Sequence, residues 1–119
     1  MRIAIVTQRK EALSAFAEGL ASHGVTIDWI AAPQDAVAQA RIYPRDMVIL
    51  DDLTGNFRAC LSDLLMANAL IHTAVITTIP PEQFHEESEG LGVLTSIPPA
   101  PNAEHAHYLM GKLQEIQGF

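Results

Sequence analysis

Five short apolar segments, separated by stretches of helical character, constrain the fold of this chain more than any other feature. Three of them are continuously apolar, at 3–6, 47–50 and 74–77, and two mix apolar with polar residues, at 26–30 and 93–97. Continuous apolar runs are typical of parallel strands covered on both faces, whereas mixed runs suit strands at a sheet edge. The pattern predicts a five-stranded sheet whose second and fifth strands lie outside.

The segments between the predicted strands carry apolar residues at helical spacing. These stripes fall within 13–20, 36–40, 57–65 and 106–113. The third helix is expected from about Asn56 to Ala69, and a short exposed helix with Phe84 as its anchor is expected over 82–89. Asn102 is a suitable N-cap for the last helix, and Gly118 is expected near its end.

Strands that alternate with helices of this length predict a parallel sheet with right-handed crossovers and helices on both faces. We therefore expect residues 1–119 to form a single domain with a flavodoxin-like α/β fold. This is a (βα)5 three-layer sandwich with sheet order 2-1-3-4-5, in which ligands and chemistry lie at the carboxyl ends of the strands, where the first and third strands meet.

Charge is unevenly distributed along the 119 residues, which carry a net charge of -7. Residues 1–58 hold six basic and seven acidic residues, whereas 59–119 hold only Lys112 against seven acids. An acidic surface repels the phosphate backbone, so we expect no nucleic-acid partner. The acidic half is either a solvated surface or a docking face for a basic protein.

The remaining composition excludes several protein classes. A single cysteine excludes a disulfide framework and a cysteine-based zinc ribbon, and no apolar run is long enough to span a membrane. The N-terminus lacks the features of a signal peptide. We expect a cytoplasmic protein that does not contact membranes, with Cys60 as a buried structural thiol on the third helix.

Polar side chains follow the predicted strands at the edge where function is expected. The strand-end pairs are Thr7-Gln8, Asp51-Asp52, Thr77-Thr78 and Ile97-Pro98. Two adjacent carboxylates after a buried strand require partners. From the residues alone, one of them serves as a nucleophile or cation ligand, or one of them caps the turn over 53–56.

At these positions the chain resembles a response-regulator receiver domain of the chemotaxis-regulator type, known from bacterial two-component signalling. The segment 45–51 is similar to the third strand of that family, which ends in the phosphoacceptor aspartate, and the resemblance gives this place to Asp51. Thr78 takes the place of the hydroxyl residue that contacts the phosphoryl group. Residues 92–98 resemble the fifth strand and its lysine-proline ending.

The sequence departs from the receiver pattern at the positions that carry charge. Thr7 and Gln8 replace the two acids that hold magnesium, Ile97 replaces the lysine, and Leu94 replaces the aromatic switch residue. Phosphoryl transfer depends on cations of this kind. The resemblance therefore implies a degenerate receiver, or pseudo-receiver, that is not an enzyme and binds no magnesium or other cofactor.

The leading hypothesis is a signalling module that acts by phosphorylation-independent protein–protein interaction. The resemblance places the output face on the fourth helix, fifth strand and fifth helix, and residues 82–117 are acidic, so a basic protein partner is expected there. Self-association as a homodimer is a second expected mode of interaction.

Two alternatives remain open from the sequence. One is a conventional phosphoacceptor domain that uses Asp51. The other is a flavodoxin-like binder of a small molecule or nucleotide, which would use Arg9 and Lys10 at a helix N-terminus. His85 lies among glutamates that form either a solvated acidic helix or a weak surface site for a divalent metal, and the first is expected. His105 and His107 lie two residues apart and so point to different sides of a helix, and we expect no metal site there.

Overall fold

The computed structural model describes residues 1–43 and 45–117, so Pro44 and the expected helix end at Gly118 lie outside the described residues. Strands and helices alternate along the described chain. The strands are β1 (Arg2–Val6), β2 (Thr26–Ile30), β3 (Met47–Asp51), β4 (His72–Ile76) and β5 (Val93–Ile97). The helices are α1 (Ser14–Ala21), preceded by a 3₁₀ turn (Lys10–Leu13), α2 (Pro33–Ile42), α3 (Phe57–Ala67), α4 (Pro81–Glu87) and α5 (Ala103–Gln117).

The strands form one parallel sheet in the order β2-β1-β3-β4-β5. This order confirms the predicted flavodoxin-like fold and places the two mixed strands at the edges. β1 lies between β2 and β3, so the chain connections diverge at the carboxyl ends of β1 and β3. Ligands of sheets with this topology bind at that point.

The core consists of two apolar layers, one on each face of the sheet. Ile3 and Ile5 point into the layer with α1 and α5, whereas Ala4 and Val6 point into the layer with α2, α3 and α4. This alternation repeats along β3, because side chains of a strand point to opposite faces in turn. The continuously apolar runs are therefore explained by burial on both sides.

Some element boundaries differ from the predicted ones. β4 covers 72–76 rather than 74–77, and α3 ends at Ala67, two residues earlier than expected. Asn68 ends α3 because its backbone is extended and its side-chain oxygen accepts a hydrogen bond from the Leu70 N–H. Since α3 faces both α2 and solvent, Cys60 on its apolar stripe is only half-buried, which corrects the expectation of a buried thiol.

Helices α1 and α5 approach closely at Gly19. A Cβ atom at this position would lie 2.8 Å from the Ala106 Cβ and 2.9 Å from the Ala103 Cα. Such distances are too short for real contacts, so a side chain here would force the helices apart. Gly111 on α5 is exposed and has no atom within 4 Å of a Cβ built on it.

These two glycines provide a matched test of the α1–α5 contact. We expect Gly19→Ala to lower the free energy of unfolding by about 1–3 kcal/mol, because it overpacks the contact. Gly111→Ala is expected to raise it by about 0.5–1 kcal/mol, because alanine reduces the entropy of the unfolded helix segment. Urea unfolding of both variants measures the difference, and equal stabilisation by both would contradict the observed contact.

Candidate functional site

Asp51 ends β3 at the carboxyl edge of the sheet, where the topology predicts function. β3 pairs with β1 in a register that sets Leu50 beside Val6, so Asp51 lies next to Thr7. The Thr7 hydroxyl donates a hydrogen bond of 2.6 Å to Asp51 Oδ2. The Asp51 side chain is only 4% exposed, so its carboxylate depends on protein groups for its hydrogen bonds.

Arg9 binds both oxygens of this carboxylate. Its Nε lies 2.9 Å from Oδ2 of Asp51, and its Nη2 lies 2.7 Å from Oδ1. This bidentate arrangement matches the planar guanidinium to the planar carboxylate and is stronger than a single contact. A protein cation therefore already neutralises Asp51 without any added ion.

The turn after β1 brings Arg9 to this position. The Thr7 hydroxyl accepts a hydrogen bond of 2.8 Å from the Arg9 N–H, which bends the chain directly after the strand. The 3₁₀ turn then begins at Lys10. Nη2 of Arg9 also donates to the Pro99 carbonyl at 3.1 Å. Arg9 thus joins the loop after β1, the end of β3 and the loop after β5.

The contact with Asp51 favours the charged form of Arg9. The hydrogen bond to Asp51 raises the pKa of the Arg9 guanidinium, although partial burial opposes that effect. Arg9 keeps 32% of its side chain exposed, whereas Asp51 is almost fully buried. Removing the arginine would leave a buried carboxylate unpaired, whereas removing the carboxylate would leave a cation that water can reach.

Asp52 serves the turn that follows β3. Its Oδ1 accepts hydrogen bonds from the Thr54 N–H at 2.9 Å, the Thr54 hydroxyl at 2.6 Å and the Gly55 N–H at 3.2 Å. Gly55 has a φ of +84°, which favours glycine. The sequence offered a turn cap or a nucleophile or cation ligand as the role of these acids. Asp52 is the turn cap, whereas Asp51 forms the ion pair with Arg9.

The other positions singled out by the sequence surround this pair without joining it. Gln8 is exposed at the rim of a cavity of about 270 Å³ that Arg9 and Asp51 also line. Thr78 is exposed and Ile97 is buried. Both line a separate cavity of about 200 Å³.

That second cavity is formed largely by the two Ile-Pro-Pro segments. Residues 79–81 follow β4 and residues 97–99 follow β5, and together they give the cavity an apolar wall. The Ile97–Pro98 peptide bond is trans. Ile97 therefore places an apolar side chain where the resemblance expects an ammonium group.

Leu94, at the expected aromatic switch position, lies half-buried on β5. It contacts the core layer beside α5 and lines a groove of about 180 Å³ with Phe84 and Lys112. Cys60 lies on the opposite side of the sheet, and burial raises the pKa of its thiol to about 11. This thiol stays protonated at neutral pH and is a poor nucleophile.

Arg9 is the functional residue whose role the sequence reasoning missed. It was weighed as a ligand for an external anion, although the nearest anion belongs to the chain itself. The signal was present, because Arg9 directly follows the end of the first strand and so lies at the same sheet edge as Asp51. A buried carboxylate requires a partner, and Arg9 is a cation at that edge.

A double-mutant cycle tests the asymmetry of this pair. We expect Arg9→Met to lower the free energy of unfolding by about 1–3 kcal/mol, because it leaves the buried Asp51 carboxylate without its ion-pair partner. Asp51→Asn should lower the free energy of unfolding by less than Arg9→Met does. The double variant should lower it by less than the sum of the two single effects. Urea unfolding measures all three.

Arg41→Met is the matched control, because Arg41 is exposed on α2, and it should stay within about 0.5 kcal/mol of the parent. Additive effects of Arg9→Met and Asp51→Asn would show that the two side chains do not interact energetically.

Comparison with known proteins gives a clear likeness in structure but not in sequence. No family model and no curated protein sequence matches this chain. A response regulator of Thermotoga maritima superimposes with a TM-score of 0.82 at 15% identity, over 95% of this chain and 97% of that structure. A CheY-like receiver domain protein of Methanospirillum hungatei superimposes with a TM-score of 0.80 at 16% identity, over 98% of this chain and 96% of that structure.

HP1043, an orphan response regulator of H. pylori, gives a TM-score of 0.80 at 16% identity, over 95% of this chain and 96% of that structure. At such low identities the likeness establishes the fold and not the activity. The chain has the fold of CheY-like response-regulator receiver domains.

Proposed function

We propose that this chain is a signalling module of the receiver type that works by protein–protein interaction and without phosphorylation of Asp51. The bidentate ion pair between Arg9 and Asp51 is the observation that carries this proposal. The chain would act as a regulatory binding protein and not as an enzyme.

The ion pair opposes the chemistry of a phosphoacceptor. A carboxylate nucleophile needs a free oxygen, but both oxygens of Asp51 accept hydrogen bonds from Arg9, and Oδ2 accepts a further one from Thr7. Attack on a phosphoryl donor would require this pair to open. The phosphorylated side chain would then need compensating cations, and Ile97 supplies none.

The residues present do not fit a magnesium ion. Magnesium binds through carboxylates and demands near-octahedral oxygen geometry. At the positions of the two receiver acids, the Thr7 hydroxyl is engaged by Asp51 and Arg9, and Gln8 is neutral. The Arg9 guanidinium occupies the carboxylate that remains. No step of the proposed function therefore involves a metal at this site.

The acidic half of the chain provides the proposed contact surface, which we call the acidic face and define as residues 82–117. Its exposed carboxylates belong to Glu82, Glu86, Glu89, Glu104 and Glu115. Lys112 is half-buried, and its Nζ lies 5.5 Å above the ring centre of Tyr108. The face is therefore strongly negative, and a basic protein surface complements it.

A groove within this face offers apolar contacts in addition to charge. It runs between α4 and β5, where Phe84 and Leu94 form its walls and His85 lies at its edge. Interfaces generally combine an apolar centre with a polar rim. A basic partner that inserts an apolar side chain here is favoured over a second copy of this chain, since two acidic faces repel each other.

A conventional phosphoacceptor domain is the second candidate. Its supporting observation is the position of Asp51 at the carboxyl end of β3, beside the point where the strand order diverges. The anion-binding alternative is weakened, because two nitrogens of the Arg9 guanidinium, Nε and Nη2, already bind Asp51. A separate property concerns membranes: over residues 1–43 and 45–117, none of the helices has the length and apolar character of a membrane span.

Acetyl phosphate separates the two candidates. After incubation with acetyl phosphate and magnesium, intact mass spectrometry should show no gain of a phosphoryl group, under conditions that label an ordinary receiver domain in a parallel reaction. Asp51→Ala serves as the background control. A gain of one phosphoryl group that Asp51→Ala abolishes would overturn the proposal in favour of the conventional receiver.

Charge reversal tests the acidic face. We expect Glu86→Lys combined with Glu89→Lys to abolish capture of a basic protein partner, and capture by the parent chain should weaken as salt rises. Asp63→Lys is the matched control, because Asp63 is an exposed acid on α3, outside the acidic face. Loss of capture with Asp63→Lys but not with the Glu86→Lys/Glu89→Lys double variant would place the contact surface elsewhere.

A further inference from the structure

Two histidines that are 84 residues apart in sequence meet on the surface of the fold. Nε2 of His23 lies 2.7 Å from Nδ1 of His107. The two rings are arranged edge to face, with 4.9 Å between their centroids and 60° between their planes. Both side chains are exposed to solvent. Two imidazole nitrogens therefore face each other and open to water.

The fold holds the backbones of both residues in place. His23 follows α1, where its N–H donates to the Leu20 carbonyl at 3.0 Å. His107 lies on α5, one residue after Ala106, which contacts α1 at Gly19. The close packing of α1 on α5 therefore fixes the separation of the two backbones, so that only the side-chain torsions need to adjust.

The geometry points to a binding site for a divalent transition-metal ion of the Zn²⁺, Ni²⁺ or Cu²⁺ type, with Nε2 of His23 and Nδ1 of His107 as its protein ligands. A hydrogen bond between two imidazoles has one nitrogen that donates and one that accepts, so one lone pair already points at the other ring. Neutral imidazole is the common ligand of these ions.

The movement needed to admit the ion is small. Zn–N bonds of ~2.0–2.1 Å in tetrahedral geometry place two nitrogens ~3.3 Å apart, so the nitrogens must separate by ~0.6 Å, and each ring must tilt until its lone pair points at the ion. Torsions of two exposed side chains can supply that shift. The proton between the two nitrogens would move, by exchange with water, to the other ring nitrogen of the donor histidine, so that both neutral imidazoles present a lone pair to the ion, and water would complete its coordination shell.

The surroundings limit the site to these two protein ligands. Over 1–43 and 45–117, no three His, Cys, Asp or Glu side chains come together as a metal-binding group. His105, on the same helix as His107, is engaged elsewhere, because its Nδ1 accepts the Asn102 N–H at 3.0 Å. The sequence could not indicate this pair, since its members lie on opposite ends of the chain.

Thermal unfolding with added metal salts tests the site. We expect Zn²⁺ to raise the Tm of the parent chain, because a ligand that binds only the folded state stabilises it, whereas Mg²⁺ should have no effect. His23→Gln and His107→Gln should each abolish the zinc shift. His85→Gln is the matched control, because His85 is an exposed histidine among glutamates on α4, and it should retain the shift.

Electron paramagnetic resonance of bound Cu²⁺ gives a readout that does not depend on stability. The parent chain should show two coordinating imidazole nitrogens, and each of the two variants at His23 and His107 should show at most one. The inference is overturned if zinc produces no shift in the parent chain, if the shift persists in His23→Gln or His107→Gln, or if His85→Gln abolishes it. None of these results depends on the state of Asp51.

Discussion

The ion pair between Arg9 and Asp51 is the interaction on which the carboxyl edge of this sheet depends. A carboxylate that is 4% exposed cannot remain charged at low cost without a partner, and Arg9 contacts both of its oxygens. The same guanidinium also binds the Pro99 carbonyl. The loops after β1 and β5 are therefore joined to the end of β3 through one side chain, with the Thr7 hydroxyl completing the network.

This arrangement places a positive charge of the chain itself beside Asp51. The resemblance to receivers implies a magnesium ion, held by two acids, and a lysine around the aspartate, but the chain has Thr7 and Gln8 in place of the acids and Ile97 in place of the lysine. The Arg9 side chain, which follows directly after Thr7 and Gln8, supplies the cation instead. Because Asp51 is already paired, the site is consistent with the proposed module, which binds its partner without phosphorylation.

The sequence predicted the architecture well because strands that are buried on both faces have continuously apolar sequences. The mixed runs indicated the two edge strands, and the alternation of strands with helices indicated the flavodoxin-like order, which the structure confirms. The boundaries of β4 and α3 were less accurate, because Thr77 continues an apolar run beyond the strand and Asn68 ends its helix through backbone conformation. The hydrophobic pattern alone therefore could not give the ends of these two elements.

The site was only partly predictable, because its key contacts join distant parts of the chain. Asp51 was placed correctly at the sheet edge, and the turn role of one acid was foreseen and belongs to Asp52. The pairing of Arg9 with Asp51 and of His23 with His107 depends on side-chain directions over 42 and 84 residues of separation. Apolar periodicity carries no information about such directions.

The most direct test of the account is an NMR titration of the ¹⁵N-labelled chain with Mg²⁺ and beryllofluoride, a mimic of the phosphoryl group. The account predicts that the backbone amide signals of Thr7, Arg9 and Asp51 stay unchanged at millimolar concentrations, because Arg9 already occupies the carboxylate. Saturable shifts of these signals, absent in Asp51→Asn, would show that the ion pair opens to admit a cation and a phosphoryl mimic, which would contradict the account.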